Sequence, residues 1–166
     1  MTSSGLFLVF FMAMFAAGSV FKWVLTRINI GRIQKFGGTV PAVFHGEIDS
    51  KTLADMSRYT VESSRFGAAE ALFDDALLLM VLLSGILPWA VGQIEHLHLH
   101  PVFAGLVFFM LLALISTLIA VPFELHSTFT IEKKYGFTTM TYRLWIADFF
   151  KNLIISGALI AVVLTP

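Results

Sequence analysis

The 166-residue chain contains no cysteine, and charged residues make up only 13% of it. Without cysteine there are no disulfides and no thiolate metal sites. The shortage of charge says more, because a water-soluble domain carries about a quarter charged residues to cover its surface. Neither sign is in excess: eleven Lys and Arg balance eleven Asp and Glu. A net charge of zero supplies no basic footprint, so no nucleic-acid partner is expected. Also missing is a His-Glu-x-x-His segment, since none of the five histidines is followed by Glu. What the chain has in quantity is hydrocarbon: 57% hydrophobic residues and a mean hydropathy of +0.84. The lipid bilayer is therefore the expected solvent for much of its surface, and a length of 166 residues suits a single membrane domain over 1–166.

Charge-free intervals locate the spans. Met1–Phe21, Ala76–Ile94, His96–Phe123 (histidines neutral) and Asn152–Pro166 carry no charge. A crossing needs about 20 mainly apolar residues, and in hydrocarbon it must be helical, because backbone groups find no water there. The reading is an all-α integral membrane bundle with transmembrane helices near 5–25, 74–93, 101–122 and 144–165. Loops fall at about 26–73 and 123–143. The last span works only if it starts near Leu144 and holds Asp148 and Lys151 at the membrane edge. Gly18, Gly85, Gly105 and Gly157 offer places for close helix approach.

The basic residues set the orientation. Lys22, Arg27, Arg32, Lys35, Lys51, Arg58 and Arg65 fall at or between the first two spans, and Lys133, Lys134, Arg143 and Lys151 at or between the last two. All eleven thus collect on one face, which the positive-inside rule makes cytoplasmic, with both termini outside. Small residues Ala16-Ala17-Gly18-Ser19 after the first apolar run resemble a signal-peptide cleavage site, but such a signal begins with a basic segment. "MTSSGLF" has none, so an uncleaved anchor is expected.

Local chemistry divides the first loop. "NIGRIQKFGGTVPAVFHGEI" (29–48), with its paired glycines and Pro41, reads as an irregular linker. From Asp49 or Ser50, a helix cap, the pattern becomes helical. Leu53, Met56, Thr60 and Phe66 make a thin apolar stripe, and Lys51, Arg58 and Arg65 suit anionic headgroups. An amphipathic cytoplasmic-side helix running into the second span is expected. In the second loop, Glu132-Lys133-Lys134 before Tyr135-Gly136-Phe137 suggests a helix stopped by Gly136 in a left-handed cap. Thr138, Thr139 and Thr141 are then available to cap the next helix. Asp148 and Lys151 share a face at i, i+3. Interface anchoring within an ion-pair network is the plainer reading of these charges. Shaping an internal chamber together with Arg65 and Glu132 is the sharper one.

"SRYTVESSRFG" (57–67), "SGILPW" (84–89) and "FTIEKKYGFTTMTYRLWIADFFK" (129–151) resemble the amino-terminal region of the type 1 CaaX prenyl proteases, membrane-embedded zinc metalloproteases. The last segment matches the family pattern at Phe129, Ile131, Glu132, Gly136, Phe137, Thr141, Asp148 and Lys151. It departs at Tyr135, where the family prefers Phe, and at Thr138, where Asn is usual. Tyr59, Arg65 and Phe66 fall where the family has a Tyr and an Arg-Phe pair. The resemblance implies that Tyr59, Arg65, Glu132, Gly136, Phe137, Thr141, Asp148 and Lys151 support architecture rather than catalysis. It also implies that zinc belongs to a carboxyl-terminal domain bearing His-Glu-x-x-His, in which two His one turn apart bind the metal and Glu activates its water. That motif is lacking here, so no catalytic residue and no cofactor is assigned to this chain, which is expected to be inactive alone. It reads as the membrane part of such a protease, cut from its zinc domain. The alternative is a catalytically silent membrane protein that binds or regulates another membrane protein.

One cluster stands outside the resemblance. In "EHLHLHP" (95–101), His96, His98 and His100 could face one way from an extended segment and hold zinc or copper. An outer-side polar turn closed by Pro101 is the plainer reading. A transporter or metal-handling role built on that turn would require polar residues inside the spans, and the first three have almost none.

Overall fold

The structure, a computed structural model, describes residues 3–38 and 49–164. Apart from short connections these residues are helical, and there is no strand among them. In order come α1 (Ser3–Phe36), α2 (Ser50–Leu83), α3 (Ile86–Glu95), α4 (Pro101–His126), a π-helical continuation over Ser127–Glu132, and α5 (Tyr142–Leu164). Two compact units divide the chain at Met1–Ala76 and Leu77–Pro166.

In the first unit α1 does not stop where its apolar run stops. Lys22, Arg27, Arg32 and Lys35 end the hydrocarbon-compatible stretch, yet Lys and Arg are good helix formers, so the helix continues to Phe36 and halts at Gly37-Gly38. Residues 26–36, expected as loop, are therefore helical, and so is the first part of the expected linker; its residues 39–48 lie outside the described ones. At 34 residues α1 is about 51 Å long, well beyond the roughly 30 Å of a bilayer's hydrocarbon. The Asp49 carbonyl accepts the Leu53 N–H at 3.1 Å, and from Ser50 α2 runs unbroken to Leu83. The helix expected from Asp49 or Ser50 into the second span is thus continuous, through 50–73, with the apolar run beyond Asp75.

Two hydrogen bonds set the α1–α2 register as antiparallel. Ser19 Oγ donates to Asp75 Oδ2 at 2.5 Å, and Ser57 Oγ donates to the Gly37 carbonyl at 2.6 Å. A Cβ on Gly37 would stand 2.5 Å from Ser57 Oγ, so only glycine allows that approach. The Ser19–Asp75 bond is part-buried and charge-assisted, a class with a net value of about 1.5–3 kcal/mol. Asp75→Ala is expected to lower the unfolding midpoint in detergent clearly, and Asp75→Asn, which keeps an acceptor, to lower it less. Equal midpoints for wild type and Asp75→Ala would show that the bond does not hold the pair.

The second unit begins with the last turns of α2, which end at a sharp break. Gly85 adopts a left-handed φ of +77° that L side chains avoid. Ser84 Oγ accepts the Ile86 N–H at 3.3 Å, and α3 leaves with its axis turned 58° from α2. The span expected near 74–93 is therefore built from two helices that meet at an angle. Pro101 opens α4, a position where its missing N–H costs nothing. The helix passes Pro122, continues as π-helix to Glu132 and retains helical geometry to Lys134. The loop expected over 123–143 shrinks to the turn at 135–136 and five residues without regular structure, 137–141.

Helix α5 returns along α4, and Met110 Cε lies 3.5 Å from the Cβ position of Gly157. Gly18, Gly85 and Gly105 have open space around them, so of the four glycines expected at close approaches only Gly157 has a neighbour there. Among the described residues the buried hydrophobic side chains are Ile94, Ile131 and Trp145, while Phe7 is 71% exposed, Ile154 72% and Val163 79%. A surface so apolar is unsuited to water and suited to lipid. Helices α1, α4 with its π continuation, and α5 are each long and apolar enough to cross a membrane, and α2 with α3 qualifies as one bent crossing.

Candidate functional site

The charged segment after α4 builds a compact turn. Glu132, Lys133 and Lys134 close the helix, Gly136 takes φ +73°, the Gly136 N–H donates to the Lys133 carbonyl at 3.2 Å, and the Phe137 N–H to the Glu132 carbonyl at 3.0 Å. This bond pair is the Schellman arrangement, which satisfies carbonyls a helix end leaves bare. Thr138 Oγ1 accepts the Met140 N–H at 3.2 Å. Thr141 Oγ1 then accepts the Leu144 N–H at 3.3 Å, and its carbonyl accepts the Trp145 N–H at 2.9 Å, so Thr141 is the N-cap of α5. Thr141→Ala is expected to cost about 1 kcal/mol of stability and Thr141→Ser almost nothing; equal melting of all three proteins would contradict the cap. Across the turn, Phe129 stacks on Tyr142 with ring centroids 3.9 Å apart.

Between α4 and α5 the turn leaves a cavity of about 690 Å³. Glu124, Asp148, Lys151 and Asn152 line it together with apolar residues such as Met110 and Trp145. Polar groups thus converge in an otherwise apolar cleft between two membrane-length helices, a place to receive a mixed polar and apolar guest. Among the described residues no ion pair joins Asp148 to Lys151; an i, i+3 ion pair on α2, Arg58 with Asp55 at 3.5 Å, is exposed and worth little.

The other expected site residues lie apart from this cleft. Tyr59 is half-buried on α2, and Arg65 lines a crevice between α1 and α2 in the first unit. Glu132, Gly136 and Phe137 form the turn itself, and only Asp148 and Lys151 reach the cavity. Glu124 and Asn152 were missing from the expected set. Their signal was present: a carboxylate two residues after Pro122 in a charge-free helix, and an amide immediately after Lys151. His96 caps the end of α3, His98 has φ 51°, and His100 precedes Pro101 and meets Phe103 edge-on at 6.4 Å. Among the described residues no three His, Asp or Glu side chains stand close enough to hold a metal ion. With no His-Glu-x-x-His in the sequence either, the donor set does not fit a catalytic zinc.

Similarity to known proteins decides the lineage of the chain. A family described as the CAAX prenyl protease N-terminal region, with five membrane helices, matches residues 29–166. The chain belongs to that family. Among the relatives of this CAAX prenyl protease N-terminal chain, a probable CAAX prenyl protease 1 of Schizosaccharomyces pombe is 31% identical over 136 residues, covering 74% of this chain and 29% of that protein. The CAAX prenyl protease 1 of Saccharomyces cerevisiae is 29% identical over 137 residues, covering 76% and 30%. The crystal structure of S. mikatae Ste24p superposes with a TM-score of 0.78 at 27% identity, over 89% of this chain and 35% of that one. The chain therefore spans about three-tenths of the length of the curated relatives it matches. It is a multi-pass membrane chain of the CAAX prenyl protease N-terminal family.

Proposed function

We propose that this chain is the membrane-embedded scaffold of a CAAX prenyl endopeptidase that depends on zinc, the metal being held by a carboxyl-terminal His-Glu-x-x-His domain. The single observation that carries this reading is the match over 29–166 to a family defined by the amino-terminal region of such proteases. Four crossings are proposed: α1, α2 with α3, α4 with its π continuation, and α5. All eleven Lys and Arg then face the cytoplasm and both termini lie outside. The basic parts of α1 and α2 extend together beyond the hydrocarbon on that face, α2 forming there the amphipathic cytoplasmic-side helix. The α4–α5 cleft, with Asp148 and Lys151 on its wall, holds the zinc domain or shapes the chamber it encloses, and Arg65 serves the same architecture.

The test is a chimera. This chain replaces the corresponding amino-terminal region of the S. cerevisiae relative, and cleavage of a prenylated peptide is measured in membranes. Cleavage by the chimera, with none by this chain alone, is the expected result. A chimera that reaches the membrane intact yet does not cleave would overturn the scaffold reading in favour of a silent partner-binding protein.

A further inference from the structure

The first unit contains a second cavity of about 580 Å³, between the basic halves of α1 and α2. Arg27 and Arg65 line it from opposite helices, and no Asp or Glu does. The Arg27 guanidinium lies over the Trp23 ring, 4.5 Å from its centroid. The register that pairs Ser19 with Asp75 and Gly37 with Ser57 places Arg27 opposite Gly67, within a turn of Arg65. Small side chains keep the crevice open: Ala68 and Ala69 line it, and a Cβ added to Gly31 would meet nothing within 4 Å.

Depth in the bilayer follows from the charges. Phe21 is the last residue of the uncharged run, and Arg27 lies six residues on, about 9 Å along a helix axis. The headgroup layer on each side of the hydrocarbon is about 5–8 Å thick, so the Arg27 side chain reaches it from its outer edge. Indole rings favour that same layer. Guanidinium forks bind phosphate oxygens in pairs and tolerate partial desolvation better than ammonium does. Two guanidinium groups without a lining carboxylate leave an excess of positive charge, which a zwitterionic lipid neutralises less well than an anionic one.

We infer that the α1–α2 crevice binds the phosphate of an anionic phospholipid headgroup. Arg27 and Arg65 take the phosphate oxygens, and Trp23 and Leu72 meet the glycerol and the first acyl carbons. The inference rests on the first unit alone and stands apart from the proteolytic reading.

Native mass spectrometry of the full chain in neutral detergent tests it, with short-chain phosphatidylglycerol, short-chain phosphatidylcholine and inorganic phosphate as probes. Phosphatidylglycerol is expected to bind roughly tenfold more tightly than phosphatidylcholine, as one charge-assisted contact permits. Arg27→Gln combined with Arg65→Gln should abolish that preference. Gly31→Leu keeps every charge, adds a helix-favouring residue and fills the crevice; it should weaken phosphatidylglycerol binding to a similar extent. Arg58→Gln, in the exposed pair with Asp55, should leave it unchanged. Equal binding of the two lipids, retention of the preference by the double variant, an equal loss in Arg58→Gln, or inorganic phosphate binding as tightly as the lipid would each overturn the inference.

Discussion

Ile131→Ala should destabilise the chain by about 2–5 kcal/mol, the range for removing a large buried aliphatic side chain. Ile131 is only 2% exposed, the most enclosed large side chain among the described residues. It sits on the π-helical stretch one residue before Glu132 opens the turn. Packing of this kind matters more in a membrane bundle than in water, because lipid is as apolar as the leucines it replaces and contributes no hydrophobic drive between helices. The loss should appear as a lowered unfolding midpoint in detergent. Ile131→Val, which removes one methylene, should cost about 0.5–1.5 kcal/mol. If Ile131→Ala melts like wild type, the turn has no packed core and does not hold α4 and α5 together.

Gly136→Val should come next in effect, and for a different reason. No atom lies within 4 Å of the Cβ position, so nothing collides with a new side chain. The cost arises in the backbone: φ is +73°, and an L residue there loses about 1–2 kcal/mol, a β-branched one more. Gly136→Asn, whose side chain tolerates the left-handed region, should recover most of the stability. The order glycine, asparagine, alanine, valine in melting midpoint is the expected signature. A drop that follows side-chain volume with no rescue by asparagine would point to steric crowding and contradict the backbone account. Because Gly136 ends the helix bearing Glu132, a weakened stop should also release α5 from the orientation that brings Asp148 and Lys151 to the cleft.

The turn is legible in the sequence because its chemistry is local. Gly136 after Lys133-Lys134 signals a left-handed stop, and Thr141 sits one residue before the helix that it caps; both positions do in the structure what their residue types favour. Helix ends are less legible. Charges mark where hydrocarbon ends, not where helix ends, so a reading by charge cuts α1 at 25 although between there and Gly37-Gly38 only the isolated Gly31 opposes helix. The same reasoning turns 123–134 into loop, although Pro122 sits in a helix that carries on past it. The break at Ser84-Gly85 is readable, with Gly85 three residues before Pro88, but a count of apolar residues passes over it. The cleft depends on residues brought together across α4 and α5. Charge marks Glu124, Asp148 and Lys151 singly, but no spacing along one helix shows that Glu124 on α4 shares a cleft with Asp148, Lys151 and Asn152 on α5.

Central to the membrane scaffold is that α4 crosses the bilayer, so that the histidine turn and the basic turn lie in different compartments. The absence of native cysteine makes this directly measurable, since each introduced thiol is the only one. Leu97→Cys, at a position 59% exposed just before α4, and Lys133→Cys, at its far end, can be treated in intact cells with a membrane-impermeant maleimide. Labelling of the first from outside, and of the second only after the membrane is opened, is the predicted result. Labelling of both from the same side would contradict the crossing and, with it, the membrane scaffold.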